Sequence, residues 1–159
     1  MIIKAAAGRS PNPDTQGDYV DRVFIAIKNS TGGALSAGYG VCFNVTNNAS
    51  ANGIDIQKPL TSALPAYAGV VADDEQTTDY SIADTDYGLA QAYGFCNVAF
   101  FRAESNGGNQ IEGVNLGPIT GQWFLQSNGR SFEFGPAVLM SRVSATTFED
   151  RVPVFLRNL

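Results

Sequence analysis

The chain of 159 residues contains no histidine, one tryptophan and two cysteines, and only 16% of its residues are charged. Histidine is the usual general base near neutral pH, a common zinc ligand and a member of the ordinary serine or cysteine triad. Its absence excludes most familiar hydrolase mechanisms. We therefore expect that the protein is not an enzyme, that it has no catalytic residues and that it needs no cofactor or metal.

The two cysteines, Cys42 and Cys96, lie in apolar stretches and do not form a CxxC motif. Neither has a basic neighbour in the sequence that would activate its thiol as a nucleophile. We expect both to be small, buried hydrophobic residues, and the sequence leaves a disulfide between them open.

Basic charge and long apolar stretches are also scarce. Ten Lys and Arg residues stand against fifteen Asp and Glu, the net charge is -5, and the basic residues form no run. A nucleic-acid partner is therefore not expected. No stretch approaches the roughly 18 apolar residues that span a bilayer, and residues 1–7 lack the pattern of a signal peptide. We expect neither a membrane anchor nor a secretory signal.

Acidic residues are the one class of catalytic or metal-binding group that is abundant. Six of the fifteen lie between residues 73 and 86. Asp84 and Asp86 alone do not supply the ligand spacing of a Ca²⁺ loop, so a solvated acidic loop is the favoured interpretation. A small hydrolase remains as the third-ranked hypothesis. It requires that the fold bring two carboxylates together, as in a glycosidase.

Alternating apolar residues in short stretches indicate β-strands. Val23, Ile25 and Ile27 recur at every second position, which is the pattern of a strand with one buried face. No segment of ten or more residues shows helical apolar spacing. The sequence therefore predicts an all-β fold, a small β-barrel or β-sandwich with little helix. Further strands are predicted at residues 39–45, 69–72, 95–101, 122–126, 130–134, 138–143 and 152–156.

The first 18 residues differ from the rest, because they carry Gly8, Pro11, Pro13 and Gly17 and show neither strand nor helix periodicity. They predict an extended N-terminal arm, followed by a single β domain over residues 19–159. Such an arm usually becomes ordered only on a partner.

Two local features refine the strand assignment. Asn128-Gly129 tolerates positive φ and predicts a tight hairpin between residues 122–126 and 130–134. In the last predicted strand Pro153 lacks a backbone N–H, which indicates an edge position.

The aromatic residues allow two interpretations. Trp123, together with Tyr67, Tyr87 and Tyr93, has the composition of a sugar-stacking platform. Aromatic side chains in alternating strands are more often core residues or cross-strand partners. For Trp123 we favour the core.

Three segments of the chain, in order, carry a family resemblance. They are residues 29–38 with the pattern A-L-x-x-G, residues 68–71 with G-V, and residues 82–94 with I-A-x-x-x-Y-G-x-x-Q-x-x-G. This order resembles the head decoration, or cement, proteins of tailed bacteriophages. The resemblance covers about residues 23–101, and residues 102–159 have no counterpart in it.

The resemblance implies a β-rich homotrimer on the exterior of the virion capsid, made in the host cytoplasm. Its partner would be the major capsid protein, whose subunits it would bridge at three-fold or quasi-three-fold positions. Multivalent contact would strengthen modest individual contacts. The leading alternative is a carbohydrate- or receptor-binding module of a phage tail or a cell surface.

Two segments are candidates for the capsid or inter-subunit interface. The arm can fold onto a neighbour, and an edge strand can add to a partner's sheet. The ordinary alternatives are a frayed terminus and a capped edge strand. The candidate residues are Ile2, Ile3, Lys4, Arg9, Pro11, Pro13, Val152, Val154 and Leu156.

Overall fold

The computed structural model describes residues 2–5, 22–45, 54–60, 66–72, 80–102, 112–127, 135–143 and 150–158, with the backbone alone for residues 2–5 and 150. Of these residues 60% are in strands and none is in an α-helix, which confirms the predicted all-β class. None of them belongs to a helix with the length and apolar character that crossing a bilayer requires. The strands are β1 (Ile2–Ala5), β2 (Arg22–Asn29), β3 (Leu35–Ser36), β4 (Gly40–Phe43), β5 (Asp55–Gln57), β6 (Tyr67–Val71), β7 (Ser81–Ile82), β8 (Tyr87–Phe101), β9 (Asn115–Pro118), β10 (Leu125–Gln126), β11 (Ala137–Leu139) and β12 (Asp150–Arg157).

The strand pairings form two closed series of hydrogen-bonded strands, and both series include β8. We call each closed series a circuit. Ten strands make one sheet in the order β1-β2-β5-β4-β6-β8-β10-β9-β11-β12, and β3 pairs separately with β7. Additional pairings join β2 to β8 and β8 to β12. The first circuit is therefore β2-β5-β4-β6-β8, and the second circuit is β8-β10-β9-β11-β12. The long β8 serves both, because its first half pairs with β2 and its second half with β12.

Each circuit has its own hydrophobic core, and β4 and β6 lie between the two. Val41 and Val71 pack in the first core, whereas Cys42 and Val70, their neighbours in sequence, pack in the second. Every residue of β6 is buried. Burial of both faces explains why these strands read as continuous apolar stretches instead of alternating ones. The first core contains Ile27, Leu35, Val41, Ile56, Ala68, Val71, Ile82 and Ala90. The second contains Cys42, Tyr67, Val70, Cys96, Ala99, Phe101, Leu116, Leu125, Ala137, Leu139, Val143, Val152, Val154 and Leu156.

The strand β6 passes very close to β8 at Gly69. The φ angle of Gly69 is +144°, and a Cβ atom there would meet the carbonyl oxygen of Gln91 at well under 3.0 Å. Only glycine fits such a contact. The Gln91 side chain is itself buried, and its amide nitrogen donates to the carbonyl oxygens of Tyr93 (3.1 Å) and Phe95 (2.9 Å). These bonds satisfy backbone groups where the β2–β8 register shifts and β8 passes from one circuit to the other.

The strand β12 is an interior strand, so the edge position predicted from Pro153 is wrong. Val154 pairs with Cys96 of β8 on one side and with Leu139 of β11 on the other. The register against β8 shifts between Val152 and Val154. Pro153 therefore lies at a bulge, where no ladder N–H is required, and a bulge is the other position at which a sheet accepts proline.

The N-terminal segment contributes a strand that the sequence pattern did not predict. Ile2–Ala5 run antiparallel to β2, with Ile3 opposite Phe24. The rest of the predicted arm lies outside the described residues, as does the predicted hairpin at Asn128-Gly129.

Candidate interaction surface

The structure separates the sequence-predicted interface residues into three groups. Ile2, Ile3 and Lys4 lie in β1, paired with β2. Arg9, Pro11 and Pro13 lie outside the described residues. The third group, Val152, Val154 and Leu156, lies in β12.

The prediction that Val152, Val154 and Leu156 contact a partner is wrong. Their side chains are at most 4% exposed and pack in the second core. The three residues do share one face, as the alternation indicated, but that face points into the protein. The outward side chains of β12 are the intervening ones, which are half-buried or exposed.

A row of half-buried aromatic and cationic side chains crosses the surface where the two circuits meet. Trp123 stacks on Tyr39, with ring centroids 5.3 Å apart and planes 9° apart. Tyr39 meets Phe100 edge-on at 5.6 Å. The Lys58 ammonium lies 5.3 Å from the centroid of the Trp123 ring, and the Arg151 guanidinium lies 5.6 Å from that of Phe100. We call Lys58, Trp123, Tyr39, Phe100 and Arg151 the aromatic row.

Backbone hydrogen bonds fix the centre of the aromatic row. The Gly40 N–H donates to the Trp123 carbonyl oxygen (2.7 Å), and the Phe100 N–H donates to the Gly38 carbonyl oxygen (2.9 Å). Gly38 has φ +90°, and a Cβ atom there would collide with the carbonyl oxygen of Val98. Because residue 38 is glycine, its backbone can lie against Val98 of β8. Tyr39 then contacts both Phe100 of β8 and Trp123.

The row has the side-chain chemistry of a binding surface. Trp, Tyr and Arg are the residues enriched in the hot spots of protein interfaces. Each ring of the row already has a neighbour, so few rotamers are lost when a partner binds. A cation over an aromatic face contributes about 0.5–1 kcal/mol at exposed sites. The row is thus a preformed, amphipathic surface.

Trp123 combines the two roles that the sequence left open. It packs against the first core, as favoured, yet it is only half-buried and belongs to the row. Of the tyrosines named with it, Tyr67 is buried, Tyr87 is 66% exposed and lies near Lys28, and Tyr93 contacts Phe155. The four aromatic residues therefore do not form one platform. Tyr39, which sequence reasoning missed, is the stacking partner of Trp123.

The first and third segments of the family resemblance meet at the fully buried Asn29. Its amide nitrogen donates to the carbonyl oxygens of Gly33 (2.7 Å) and Ile82 (2.9 Å). Its amide oxygen accepts from the Thr31 N–H (3.1 Å) and hydroxyl (2.7 Å). The Thr85 N–H donates to the Asn29 carbonyl oxygen (2.8 Å) with Thr85 at φ +68°. These residues serve the scaffold and do not form a ligand site.

The second core contains three ionisable groups. Cys42 and Cys96 are buried and not bonded to each other. Burial raises the pKa of the Cys42 thiol to about 12. The pKa of Tyr67 is also raised, mainly by burial, with a smaller contribution from the two thiols. Among the described residues the buried Tyr67 hydroxyl has no hydrogen-bond partner. Cys42 and Tyr67 are therefore neutral near pH 7, as inert core residues are.

The acidic cluster is described only at its C-terminal end. Asp84 accepts a hydrogen bond from the Gly32 N–H (2.9 Å), which ties the first segment of the resemblance to the third. No group of three or more Cys, Asp or Glu suitable for a metal ion occurs in the part of the chain that the structure describes. Residues 73–79 lie outside it.

Comparison with known proteins does not assign the chain to a family. No protein-family model matches the sequence, and no curated protein matches it either.

Proposed function

We propose that the chain is a capsid decoration protein, which binds the outside of an assembled phage head as a homotrimer and bridges neighbouring subunits of the major capsid protein. The aromatic row carries this proposal. It offers Trp123, Tyr39 and Arg151, the residue types that dominate protein–protein binding energy, on a rigid all-β support.

The residues of the family resemblance support the row. Gly38 ends the first segment and Val71 ends the second, and their backbones are joined by a hydrogen bond from the Gly38 N–H to the Val71 carbonyl oxygen (2.9 Å). The Val71 N–H in turn donates to the Tyr39 carbonyl oxygen (2.8 Å). The segments that resemble decoration proteins therefore hold Tyr39 in position for the row.

A cement protein works by multivalent binding. Each copy needs only a modest surface, because a trimer that engages several capsid subunits gains effective concentration from its linked sites. The aromatic row is small by the standards of stable interfaces, which bury about 800 Å² per partner. In the proposed trimer three copies of the aromatic row bind together, which compensates for the small size of each.

Binding to expanded heads of the phage that encodes the protein tests the proposal. We expect stoichiometric binding of the purified protein and greater resistance of the heads to heat. Lys58→Glu and Trp123→Leu should each weaken binding by about tenfold or more, because they alter the row. Lys28→Glu is the matched control, since Lys28 lies over the ring of Tyr87, away from the row. Heads that bind no protein at saturation would contradict the proposal.

The second candidate is a carbohydrate- or receptor-binding module. The stacked pair Trp123 and Tyr39 favours it, because half-exposed aromatic rings stack on sugars. However, the Trp123 ring already contacts both the Tyr39 ring and the Lys58 ammonium, which leaves less of it for a sugar. Binding on a glycan array that is lost in Trp123→Leu would support this candidate over the decoration protein.

A further inference from the structure

A third cation, Arg102, lies next to the aromatic row. Its guanidinium is 5.1 Å from the centroid of the Phe124 ring. The Arg102 N–H donates to the Leu125 carbonyl oxygen (3.0 Å), which continues the pairing of β8 with β10. Because side chains alternate between the two faces of a strand, Arg102 and Phe100 point to the same side of β8. We call the aromatic row together with Arg102 and Phe124 the extended row.

Cations over aromatic rings are concentrated on the extended row. Energetically significant pairs of this kind occur about once in 70–80 residues. The described part of the chain has four pairs with the cation about 6 Å or less from the ring centroid, and those of Lys58, Arg102 and Arg151 all lie on the extended row. None of the seven residues of the extended row is acidic. The surface therefore places three positive charges beside a group of rings.

The side-chain donors of Arg102 and Lys58 are not used by the part of the chain that the structure describes. Each of the two cations contacts a ring, and neither side chain has a hydrogen bond or an ion pair with a described residue. Arg157 shows the contrast, since its guanidinium donates to two oxygen atoms. Arg102 is also exposed. A guanidinium has five N–H donors and an ammonium three, so both groups can bind an oxyanion.

The chemistry of the extended row favours carboxylates on a polypeptide. A guanidinium that lies over a ring can still bind a carboxylate through two parallel hydrogen bonds. The net charge of the chain is -5, which opposes the long, dense charge of a nucleic acid. Exposed charges farther apart than about 8 Å are largely screened at physiological ionic strength, so a short acidic segment responds mainly to the cations that it touches. The rings offer the apolar contact that a protein segment also requires.

We propose that the extended row binds an acidic segment of the partner protein. Carboxylates of that segment bind Arg102 and Lys58, and its apolar side chains contact Tyr39 and Trp123. The inference rests on the proposed function for the identity of the partner as the major capsid protein. It goes further by assigning the charge and the chemistry of the segment that the row binds.

Trp123 is the single tryptophan of the chain, so its fluorescence reports on this surface. Titration of the purified full chain with poly-L-glutamate at about 50 mM salt should change the Trp123 emission, and about 500 mM salt should weaken binding by about tenfold or more. Arg102→Gln and Lys58→Gln should each weaken it by about tenfold, because each removes charge-assisted hydrogen bonds. Lys28→Gln is the matched control, since it removes the same charge away from the row.

Three outcomes of this titration would overturn the inference. The first is a Trp123 emission that stays unchanged up to about 1 mM poly-L-glutamate. The second is an equal response to dextran, a neutral polymer, which would assign the row to carbohydrate. The third is a tighter response to oligothymidylate, which would assign the row to nucleic acid.

Binding to expanded heads separates this inference from the proposed function. Heads whose carboxylates are blocked with carbodiimide and glycinamide should bind the protein about tenfold more weakly than untreated heads, and electron microscopy verifies that the blocked heads are intact. Equal binding before and after blocking would overturn the inference and leave the proposed function standing. If untreated heads bind no protein while poly-L-glutamate changes the Trp123 emission, the proposed function is wrong and the row still binds an acidic segment.

Discussion

The two strand circuits are built by different means, although they share β8. The first core is aliphatic, and β2 of the first circuit carries the buried Asn29, whose side chain takes part in five hydrogen bonds. The second core is larger and contains Phe101, two thiols and Tyr67, whose hydroxyl has no hydrogen-bond partner in the part of the chain that the structure describes. The first circuit is specified by a satisfied polar network, the second by apolar packing.

The circuits also differ in what they present to the outside. The first circuit contains most of the segments that resemble decoration proteins, and Asn29, Gly38 and Val71 of these segments form hydrogen bonds within the scaffold. The second circuit carries aromatic side chains on its outward side. The comparison teaches that the three recognisable segments maintain the scaffold, whereas the residues of the aromatic row lie outside these segments.

The largest expected effect concerns the contact of β6 with β8 at Gln91, where β8 passes from one circuit to the other. Gly69→Ala should cost more than about 4 kcal/mol or abolish folding, because the added Cβ collides with the Gln91 carbonyl group at an unfavourable φ. Gly32→Ala is the matched control, since Gly32 has φ +81° but open space around it, and should cost about 1 kcal/mol. Urea unfolding measures both. Equal costs would show that β6 and β8 are not in close contact.

The next effect tests the polar network of the first circuit. Asn29→Leu should lower the free energy of unfolding by about 3 kcal/mol, because it leaves buried carbonyl groups and the Thr31 N–H without partners. Ser30→Ala should change it by less than about 0.5 kcal/mol, because its hydrogen bond to Asp55 is exposed. If Asn29→Leu leaves the free energy of unfolding unchanged, the polar network does not stabilise the first circuit. The two circuits would then not differ in how they are stabilised.

Alkaline pH should lower the stability of the protein through the buried Cys42 of the second core. The pKa of Cys42 rises from its ordinary 9.0 to about 12 by burial, so above pH 9 the unfolded chain loses this proton while the folded protein keeps it. Stability then falls as pH rises, by about 2 kcal/mol from this thiol at pH 10.5. Tyr67 acts in the same direction at higher pH. The difference in urea stability between wild type and Cys42→Ala should shrink by this amount between pH 8 and 10.5, and a constant difference would contradict the burial of the thiol.

The smallest expected effect on stability is that of Tyr67→Phe, and its sign is opposite to that of Asn29→Leu. Tyr67→Phe removes a buried hydroxyl that has no partner among the residues the structure describes, so it should be neutral or stabilise the protein by up to about 1 kcal/mol. Thermal unfolding detects the change as an unchanged or higher Tm. A loss of more than about 1 kcal/mol would indicate that the hydroxyl has a partner, and the second core would then resemble the first.

Local periodicity in the sequence predicted several of the strands, but it did not predict which strands are neighbours in the sheet. The alternation of Val23, Ile25 and Ile27 correctly indicated β2, although Ile25 is only half-buried. Short strands such as β5 and β9 were missed, because three or four residues carry too little periodicity. Pro153 was misassigned because its lack of an N–H is compatible with an edge or a bulge, and only the register distinguishes them.

The candidate surface was harder to predict than the fold. Tyr39, Phe100 and Trp123 are far apart in the sequence, and their contact depends on the close approach at Gly38. The Asn29 network likewise joins positions more than 50 residues apart. The sequence indicated that Trp123 was either a core residue or part of a stacking platform. It did not identify Tyr39 as the ring on which Trp123 stacks.

A cryo-EM reconstruction of expanded heads incubated with the purified protein tests the central proposal most directly. We expect additional density on the outer surface at three-fold or quasi-three-fold positions, with Lys58 and Trp123 against the shell. Undecorated shells at saturating protein concentration would contradict the proposal.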